Sequence, residues 1–353
     1  MFSVTNERGF VPQSEQFEGR DMVGDDIKAY KIIQSQEFAY NPARINVGSI
    51  AMYSGKAPCM ISSLYVCFKT TQKVDDEWLM QLLKTAKLNY CYNVNGEGGV
   101  RVYLFYPNFA RIRVSLPSLT EQKKIACFLN LLDERISTQN KIIDKLQSLI
   151  KGIMVELQKQ GQNKGNWRNV LLSKVLTERD ERNTNLYEVF SVSVSRGVIN
   201  QVDYLGRSFA ARDTSKYNVV HYGDLVYTKS PTGAYPYGIV KQNLNQENVA
   251  VSPLYGVYIP NSLSVGTYLH EYFMSEINTH NYLHPLIQKG AKNTINITNQ
   301  RFLENSVPMP VCANELLLIS KLLLSLNDKM KYQQSILQQY KKQKQYLLRQ
   351  MFI

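Results

Sequence analysis

The sequence of 353 residues has few cysteines, and none of them belongs to a recognisable motif. The five cysteines are odd in number, scattered along the chain and never spaced as C-x-x-C. This argues against a disulfide framework and a zinc site and favours buried, reduced thiols. No run of about 18 uninterrupted apolar residues could span a bilayer, and the start lacks the basic and apolar regions of an export signal. We therefore expect a cytoplasmic protein with no membrane partner.

Catalytic motifs are missing as well. YNPAR from Tyr40 shares only Asn-Pro with the Asn-Pro-Pro-aromatic motif of amino-methyltransferases, and no glycine-rich cofactor loop accompanies it. GSIAMYSGKA from Gly48 lacks the spacing and the final Ser or Thr of a phosphate-binding loop. His280 and His284 lie one helical turn apart, but two histidines alone are too few for a zinc site. We expect no catalytic residue, no cofactor and no bound metal.

Charge is strongly unbalanced. The formal net charge at pH 7 is +12, and the sequence pI is about 9.3. An excess of this size favours a polyanionic partner, and nucleic acid is the first candidate. The alternative is a basic protein without such a partner.

The chain contains the same series of segments twice. In chain order, the matched pairs are FSVTNERGF (Phe2) with FSVSVSRGV (Phe190), AYKIIQSQEFAYNPA (Ala29) with KYNVVHYGDLVYTKS (Lys216), SSLYVCF (Ser62) with SPLYGVY (Ser252), and FARIRVSLP (to Pro117) with FLENSVPMP (to Pro310). Between these anchors the lengths and residues differ, so the halves share a scaffold but not a loop surface. Two binding modules with different targets would have this pattern, and so would simple divergence of a duplicated domain.

The repeated segments predict mixed α/β modules. They are rich in Val, Ile, Tyr and Phe and are broken by Gly, Asn and Pro, which is typical of short strands joined by turns. Each half also has one helical stretch, DDEWLMQLLKTAKL from Asp75 and VGTYLHEYFMSEINTHNYL from Val265. The fold class that we expect is α+β, with two tandem mixed α/β modules separated by two long helices.

Each module is followed by a long amphipathic stretch with heptad spacing. The first series is Ile125, Leu129, Leu132, Ile136, Gln139, Ile143, Leu146, Ile150, Ile153 and Leu157. The second is Ile319, Leu323, Leu326, Met330, Gln333, Leu337, Tyr340, Lys344, Leu347 and Met351. A period of about 3.5 residues kept over about five heptads predicts helices that pair along this stripe. Ordinary packing in a helical bundle is the alternative.

The order of these features predicts four segments. They are a first module at 1–117, a central helix at 118–159, a second module at 160–310 and a C-terminal helix at 311–353. The two helices are similar in length, so they can form an intramolecular antiparallel coiled coil. Such an arrangement would suit two separated half-sites on a duplex. KQGQNKGN from Lys159 is predicted to be a polar linker into the second module.

Polar and basic residues on the loops between the repeated segments are the candidate DNA contacts. They are Arg44, Asn46, Tyr53, Lys56 and Arg101 in the first module and Lys229, Ser230, Thr232, Tyr235, Tyr237, Lys292 and Asn293 in the second. Arg and Asn suit base edges in the major groove, whereas Lys, Ser and Tyr more often hold phosphates. A solvated surface role is the alternative for each of them. SPTGAYPYG from Ser230 is the strongest single stretch, because its turn residues and tyrosines would present a polar, aromatic loop.

The order of module, helix, module and helix resembles the specificity subunit of type I restriction-modification enzymes over nearly the whole chain. The sharpest local likeness is the series Leu116, Pro117, Glu121, Gln122, Lys123, Ile125, Leu129, Asp133 and Ile136. YNPARINVGSIAM from Tyr40 is also similar to the family. In the second helix Leu316 replaces the glutamine and Asn327 the aspartate, so the C-terminal copy is the weaker match.

This resemblance implies a non-catalytic DNA reader whose two target-recognition domains each bind one half of a bipartite site, while the paired helices fix the spacing. The implied partners are double-stranded DNA, two adenine-specific methyltransferase (modification) subunits and, through the complex, the translocating endonuclease (restriction) subunits. Two other hypotheses stay open on the sequence alone. One is a coiled-coil scaffold protein without sequence-specific DNA binding; the other is a DNA methyltransferase, which the missing cofactor motifs disfavour.

The two halves differ at their starts. GNWRNVLLSKVLTERDERNTNLYEV from Gly165 precedes the second module, whereas the first module begins directly at its Phe-Ser-Val. We expect a stretch of similar length to be missing ahead of the first module. Either translation starts upstream, or the allele is truncated or rearranged.

Overall fold

The protein divides into two compact units. The structure, a computed structural model, describes residues 1–16, 27–98, 102–289 and 295–352. Unit 1 comprises Met1–Asn140 with Ser335–Ile353, and unit 2 comprises Lys141–Gln334. Each unit therefore contains one module together with part of both long helices, whereas the four predicted segments separate modules from helices.

Unit 1 is built from short strands with helices packed on them. Its elements are β1 Phe2–Thr5, β2 Gly9–Pro12, α1 Gln13–Gln16, β3 Lys31–Ile33, β4 Phe38–Tyr40, β5 Ile50–Met52, β6 Cys59–Ile61, β7 Val66–Phe68, α2 Asp76–Leu83, α3 Ala86–Asn95, α4 Tyr106–Phe109 and the first part of α5 Leu119–Lys164. One sheet has the strand order β2-β1-β6-β3 and the other β5-β4-β7. The β1–β6 contact is parallel and the remaining pairs are antiparallel.

Unit 2 has the same kind of architecture, with more strands among its described residues. Its elements are the second part of α5, β8 Trp167–Leu171, β9 Leu176–Glu178, β10 Phe190–Ser193, β11 Gly197–Asn200, α6 Gln201–Leu205, β12 Asn218–Val220, β13 Leu225–Tyr227, β14 Val240–Gln242, β15 Val249–Val251, β16 Gly256–Pro260, α7 Leu263–Tyr272, α8 Glu276–Leu283, β17 Gln288–Lys289, β18 Ile295–Asn296, α9 Asn299–Phe302, β19 Ser306–Pro310 and the first part of α10 Ala313–Met351. The largest sheet has the order β14-β13-β16-β9, and the other strands pair as β10-β11, β12-β15, β17-β18 and β19-β8.

The predicted duplication is present in the strand pairing. The hairpins β1–β2 and β10–β11 have the same register, with Thr5 opposite Gly9 and Ser193 opposite Gly197. The β3–β6 pair corresponds to β12–β15, and β4, flanked by β5 and β7, corresponds to β13, flanked by β14 and β16. Equivalent positions in the two units can therefore be read from the register.

Each predicted module helix is broken into two. In unit 1 the break lies at Thr85, whose side-chain oxygen accepts a hydrogen bond from the Leu88 amide and caps α3. In unit 2 the break lies at Ser275, which caps α8 by accepting from the Asn278 amide. A Ser or Thr that satisfies a free amide at a helix start favours a new helix over continuation of the old one. The prediction of one continuous helix in each module was therefore wrong.

The two long helices have 46 and 39 residues, or about 69 Å and 58 Å at about 1.5 Å per residue. In unit 1 the start of α5, with Leu129 and Leu132, shares a core with Leu347 and Met351 near the end of α10. In unit 2 the end of α5 shares a core with the start of α10, including Ile319. This order is that of an antiparallel pair, as predicted. None of the helices in the described ranges combines the length and hydropathy that a bilayer crossing requires.

The heptad positions lie on the least exposed faces of both helices. Every position of both predicted series is buried or half-buried. The buried glutamine Gln139 lies in unit 1, and the half-buried Gln333 lies in unit 2. Burial of the stripe agrees with a pairing role for Ile125, Leu129, Leu132, Ile136, Gln139, Ile143, Leu323, Leu326, Met330, Gln333 and Leu337, which stays a prediction for the individual residues.

The central helix continues beyond its predicted end. Residues 159–164, which we expected in a polar linker, are helical, and α5 ends at Lys164. Gly165 follows with φ +68°, a left-handed conformation that commonly terminates a helix. Gly161 lies inside the helix, and a Cβ at this position would come within 2.2 Å of the Trp167 ring. This glycine therefore allows close packing and does not mark a flexible linker.

Candidate nucleic-acid interface

The predicted contact residues lie largely on one topologically equivalent loop in each unit. Residues 41–49 connect β4 to β5, and residues 228–239 connect β13 to β14. Arg44 and Asn46 belong to the first loop, and the stretch from Lys229 to Tyr237 belongs to the second. Both loops end in a glycine with positive φ, Gly48 at +95° and Gly238 at +98°. The two loops therefore share their anchoring and differ in length and side chains.

The unit 2 loop is held at several points. The Thr228 amide donates to the Ile239 carbonyl at 2.9 Å, and Thr232 and Tyr235 exchange two backbone hydrogen bonds of 3.0 Å. The Tyr227 hydroxyl donates to the Tyr237 carbonyl at 2.8 Å. These bonds fix the backbone before any ligand arrives, which lowers the entropic cost of binding.

Three predicted contacts of this loop are accessible. Ser230 is exposed, and Lys229 and Thr232 are half-buried. The Thr232 hydroxyl donates to the Ser230 carbonyl at 3.2 Å. Partial burial lowers the pKa of the Lys229 ammonium from its ordinary value, and the Glu178 carboxylate partly offsets this. A partly desolvated ammonium is stabilised when a phosphate oxygen takes the place of the water that it has lost.

Two histidines that we did not predict as DNA contacts lie beside this loop. The Tyr237 ring centroid lies 5.2 Å from the His280 ring and 6.0 Å from the His284 ring, and the two imidazoles stack at 5.2 Å. Both imidazoles are exposed on α8 and the turn that follows it. From the sequence these two histidines were judged too few for a zinc site, and in the structure the loop tyrosine is their neighbour. Aromatic and imidazole faces of this type can pack against nucleotide bases or sugars.

The unit 1 loop carries a basic and an amide group. Arg44 is exposed and precedes the 3-10 turn Ile45–Val47. Asn46 is half-buried, and its Nδ2 donates to the Asn93 Oδ1 on α3 at 3.0 Å. Asn93 is an exposed amide that we did not predict from the sequence. The loop and α3 thus place Arg44, Asn46 and Asn93 in one region of unit 1.

Two predicted contacts lie in the core. Tyr53 is buried between Phe2 and Phe10, and its hydroxyl donates to the Ala57 carbonyl at 2.7 Å. Tyr235 is buried too, and its hydroxyl donates to the Met274 carbonyl at 2.7 Å. Both hydroxyls are used to hold loops, so we correct their expected role from DNA contact to loop support.

The remaining predicted contacts are spread more widely. Lys56 is exposed on the connection between β5 and β6. Arg101, Lys292 and Asn293 lie outside the described residues. The structure therefore brings together only the contacts of the two equivalent loops.

Polar groups also join each module to a long helix. In unit 2 the buried Glu271 of α7 accepts a hydrogen bond from Asn327 of α10 at 2.6 Å. Burial raises the pKa of Glu271 and lowers that of the buried Lys241 ammonium to about 8. In unit 1 Asp133 of α5 accepts from Gln81 of α2 at 3.0 Å and from Lys344 of α10 at 2.6 Å.

Comparison with known proteins identifies the first of the two modules. Residues 26–148 match the family model for the type I restriction modification DNA specificity domain. This part of the chain is similar to a type I restriction-modification DNA specificity domain. The resemblance inferred from the sequence is thereby confirmed.

A curated relative and a solved structure agree with this specificity domain. A protein of Methanocaldococcus jannaschii, named as the type I restriction enzyme MjaX specificity subunit, is 27% identical over 145 residues. That match spans 40% of this chain and only 34% of the relative. The crystal structure of a type I restriction-modification system S subunit from M. genitalium has a TM-score of 0.63 at 10% identity and covers 92% of this chain and 84% of that one. At this identity the likeness shows the fold, and it confirms the predicted fold class.

Proposed function

We propose that the chain is the DNA-reading specificity subunit of a type I restriction-modification complex and has no catalytic role of its own. Each unit would bind one half of a bipartite site. The observation that carries the proposal is the pair of equivalent loops, closed by Gly48 and Gly238, which carry different polar residues on one repeated scaffold. Different loops on equal frames are what two different half-sites require. The net charge of +12 supports a polyanionic ligand.

The two loops suit different kinds of DNA contact. Arg44 and Asn46 of unit 1 can form paired hydrogen bonds with guanine and adenine edges. Lys229 and Ser230 of unit 2 suit phosphate oxygens, which position the protein on the duplex. Lys56 would add a phosphate contact in unit 1. Thr232 and Tyr237 complete the proposed set in unit 2, whereas Tyr53 and Tyr235 are left out because they are buried.

The partners would include two methyltransferase subunits, with endonuclease subunits joining through the complex. Exposed apolar residues near the start of each long helix support two copies of one partner. Phe128 and Leu131 are exposed near the start of α5, and Leu318 and Leu322 are exposed near the start of α10. Apolar surface of this kind on helices usually marks a protein interface.

The decisive experiment is to co-express the chain with the methyltransferase subunit encoded beside it in a host without DNA methylation and to map modified adenines. We expect a two-part motif with a fixed gap. Modified adenines without any two-part motif would contradict the proposed bipartite reading. Failure of the purified chain to bind DNA at low salt would instead favour the coiled-coil scaffold.

Two loop variants test the interface within this function. Arg44→Ala should relax sequence preference in one half of the motif and leave the other half unchanged, because it removes a base-reading group. Lys229→Ala should weaken DNA binding on all sequences alike and reduce the salt dependence of log K by about 1, the value of one phosphate contact. The control is Lys174→Ala, which removes an exposed lysine from the turn before β9. Equal effects of Lys174→Ala and Lys229→Ala would contradict a specific role of the loop.

A further inference from the structure

Two arginines of unit 2 lie over exposed aromatic rings. The Arg196 guanidinium carbon lies 5.8 Å from the centre of the Tyr204 ring, and that of Arg207 lies 4.5 Å from the centre of the Phe209 ring. Both arginines are exposed, and the rings are 39% and 58% exposed. A guanidinium that stacks on a ring keeps its N–H edges free, so each arginine can still donate hydrogen bonds to a ligand.

Neither of these arginines has a carboxylate partner. In the part of the chain that the structure describes, the Arg196 and Arg207 guanidinium groups form no ion pair and no hydrogen bond. The stretch from Arg196 to Phe209 contains one carboxylate, Asp203, which pairs with no described cation. Other arginines of the same unit do pair with carboxylates, namely Arg179, Arg182 and Arg301. The two ring-supported cations therefore remain available to an external anion.

The backbone that carries these side chains is held by Gln201. Its Nε2 donates to the Ser191 hydroxyl at 3.2 Å, and its Oε1 accepts from the Phe209 amide at 2.7 Å. Between these contacts, Gly206 with φ +73° turns the chain from α6 towards Arg207. A backbone that is fixed in this way loses little conformational entropy when a ligand binds.

Unit 1 keeps the same anchor. The hairpin register makes Arg8 the counterpart of Arg196. The same offset along the chain makes Gln13 the counterpart of Gln201, and the Gln13 Nε2 also donates to a hairpin serine, Ser3, at 3.1 Å. The residues that follow these two glutamines are therefore equivalent, at the starts of α1 and α6.

The cation has a different environment in unit 1. The Arg8 Nη1 lies 3.6 Å from the Glu15 Oε2, and Gln16 occupies the position of Tyr204. The next ten residues also differ in charge. FEGRDMVGDD from Phe17 contains four carboxylates and one arginine, whereas LGRSFAARDT from Leu205 contains one carboxylate and two arginines. Unpaired basic groups beside exposed rings are therefore a feature of unit 2.

We propose that Arg196, Tyr204, Arg207 and Phe209, here called the arginine–aromatic surface, bind the sugar–phosphate backbone of duplex DNA. This inference rests on the proposed DNA-reading function and adds a contact surface to the loop of residues 228–239. Guanidinium groups bind phosphate oxygens through paired hydrogen bonds, and the exposed rings can pack against the deoxyribose. A duplex also offers a regular series of full charges, about one per 1.7 Å of its axis, to a chain with a net charge of +12.

The test is the salt dependence of DNA binding by the full-length chain on a mixed-sequence duplex. Arg196→Ala and Arg207→Ala should each lower the slope of log K against log salt by about 1 and weaken binding about tenfold at about 0.1 M salt, because each removes one phosphate contact. The loss should be the same on every duplex sequence, since phosphate contacts carry no base information.

The matched control is Arg8→Ala. It removes the equivalent arginine of unit 1, which already has a carboxylate partner, and should leave the slope unchanged. Asp203→Asn should strengthen binding, because it removes the carboxylate nearest in sequence to the two arginines.

The rings need variants of their own. Tyr204→Leu and Phe209→Leu keep an apolar side chain and every charge but remove the support of one guanidinium. Each should weaken binding by roughly two- to fivefold with an unchanged slope, because an exposed cation–π contact orients the arginine and releases no counterion. A lower slope in either ring variant would contradict this supporting role.

The possible outcomes separate this surface from the proposed function. Wild-type binding to the duplex, with the same slope in Arg196→Ala, Arg207→Ala and Arg8→Ala, would overturn the arginine–aromatic surface alone. Failure of the wild-type chain to bind the duplex at low salt would overturn the proposed function and the surface together. Polyglutamate serves as a second probe, and arginine variants that lose its binding while they keep the full duplex slope would reassign the surface to an acidic polypeptide.

Discussion

The two units build the same sheet but close it to different degrees. In unit 2 the strand β16 has neighbours on both sides, and Gly256, Val257 and Tyr258 are buried. Among the described residues of unit 1 the equivalent β7 pairs with β4 alone, and its three residues are half-buried. The loop of unit 2 is also held by a tyrosine hydroxyl and that of unit 1 is not. The Tyr227 hydroxyl donates to the Tyr237 carbonyl, whereas the buried hydroxyl of its counterpart Tyr40 has no hydrogen-bond partner among the described residues.

What both units keep is an aromatic centre. Phe302 stacks on Tyr227 and Tyr258 at 4.7 Å, and its counterpart Phe109 packs on Tyr40 at 5.0 Å and on Phe68 at 5.3 Å. Large aromatic side chains supply much of the burial that stabilises a small module. Outer strands and loops can therefore diverge while this aromatic centre keeps the scaffold the same, which allows one scaffold to carry two different loop surfaces.

Substitutions of Gly48 and Gly238, the glycines that close the two loops, test the difference between the units most directly. A Cβ at Gly238 would come within 1.8 Å of the Thr228 backbone oxygen, whereas a Cβ at Gly48 would meet the end of the Asn6 side chain at 2.0 Å. The Asn6 side chain can rotate away, but the Thr228 backbone cannot. We expect Gly238→Ala to destabilise unit 2 by about 3 kcal/mol and Gly48→Ala to destabilise unit 1 by about 1–2 kcal/mol, mostly from the positive φ.

Each unit can be followed separately in this experiment. The chain has two tryptophans, Trp78 in unit 1 and Trp167 in unit 2. Urea unfolding in Trp78→Phe and Trp167→Phe backgrounds therefore reports each unit by its own fluorescence. A larger loss in unit 1 than in unit 2 would show that the Gly238 loop is more pliable than its contacts indicate.

The sequence predicted the features that depend on periodicity. The repeated segments predicted the equivalent hairpins, since alternation and a turn glycine are local signals, as at Gly9 and Gly197. The heptad series predicted the buried stripe because it persists over many turns. The sequence did not predict the breaks at Thr85 and Ser275 in the module helices. A capping oxygen inside an amphipathic stretch ends a helix only where the chain can bend, and that depends on the surrounding fold.

Side chains on loops could be predicted only in part. Arg44 and Lys56 are exposed as expected, because a charged group seldom enters a core without a partner. Tyr53 and Tyr235 were assigned to the surface and are buried. The Tyr53 ring packs against Phe2 and Phe10, and the Tyr235 hydroxyl donates to the distant Met274 carbonyl, so tertiary structure decides both positions. His280, His284 and Asn93 were missed because only the fold brings α8 and α3 beside the two loops.

The attachment of module to helix offers a second contrast between the units. Asn327→Asp would place a second carboxylate within hydrogen-bond distance of the buried Glu271, whose pKa is already raised by burial. We expect a loss of about 2 kcal/mol from unit 2 at pH 7, which shrinks at lower pH as the two carboxylates come to share a proton. Urea unfolding with Trp167 as the reporter measures this loss.

The matched change in unit 1 is Asp133→Asn, which removes the ion pair with Lys344. Asp133 is partly exposed, so this change should cost at most about 1 kcal/mol. If Asn327→Asp and Asp133→Asn lowered the free energy of unfolding by similar amounts, the two attachments of module to helix would depend on their polar groups to the same degree.

The last contrast between the units is a difference in acid sensitivity. His270 accepts a hydrogen bond at Nδ1 from the Gln242 amide at 3.0 Å, and Met80 occupies the equivalent position in unit 1, five residues before the helix cap in both units. Burial, with Lys241 and Lys331 nearby, lowers the pKa of His270 from 6.5 to about 3. Because the unfolded chain binds this proton first, stability contributed by neutral His270 is lost as the pH falls from 6.5 towards 3.

The expected slope in unit 2 is at most about 1.4 kcal/mol per pH unit from this one group. His270→Gln keeps an acceptor for the Gln242 amide but cannot titrate, so it should flatten the pH dependence that Trp167 reports. Glu271, whose Oε1 lies 4.0 Å from the imidazole, is present in both proteins. The pH dependence of unit 1, read from Trp78, should be the same with and without the substitution. A slope in unit 2 that survives His270→Gln would assign the acid sensitivity to the carboxylates.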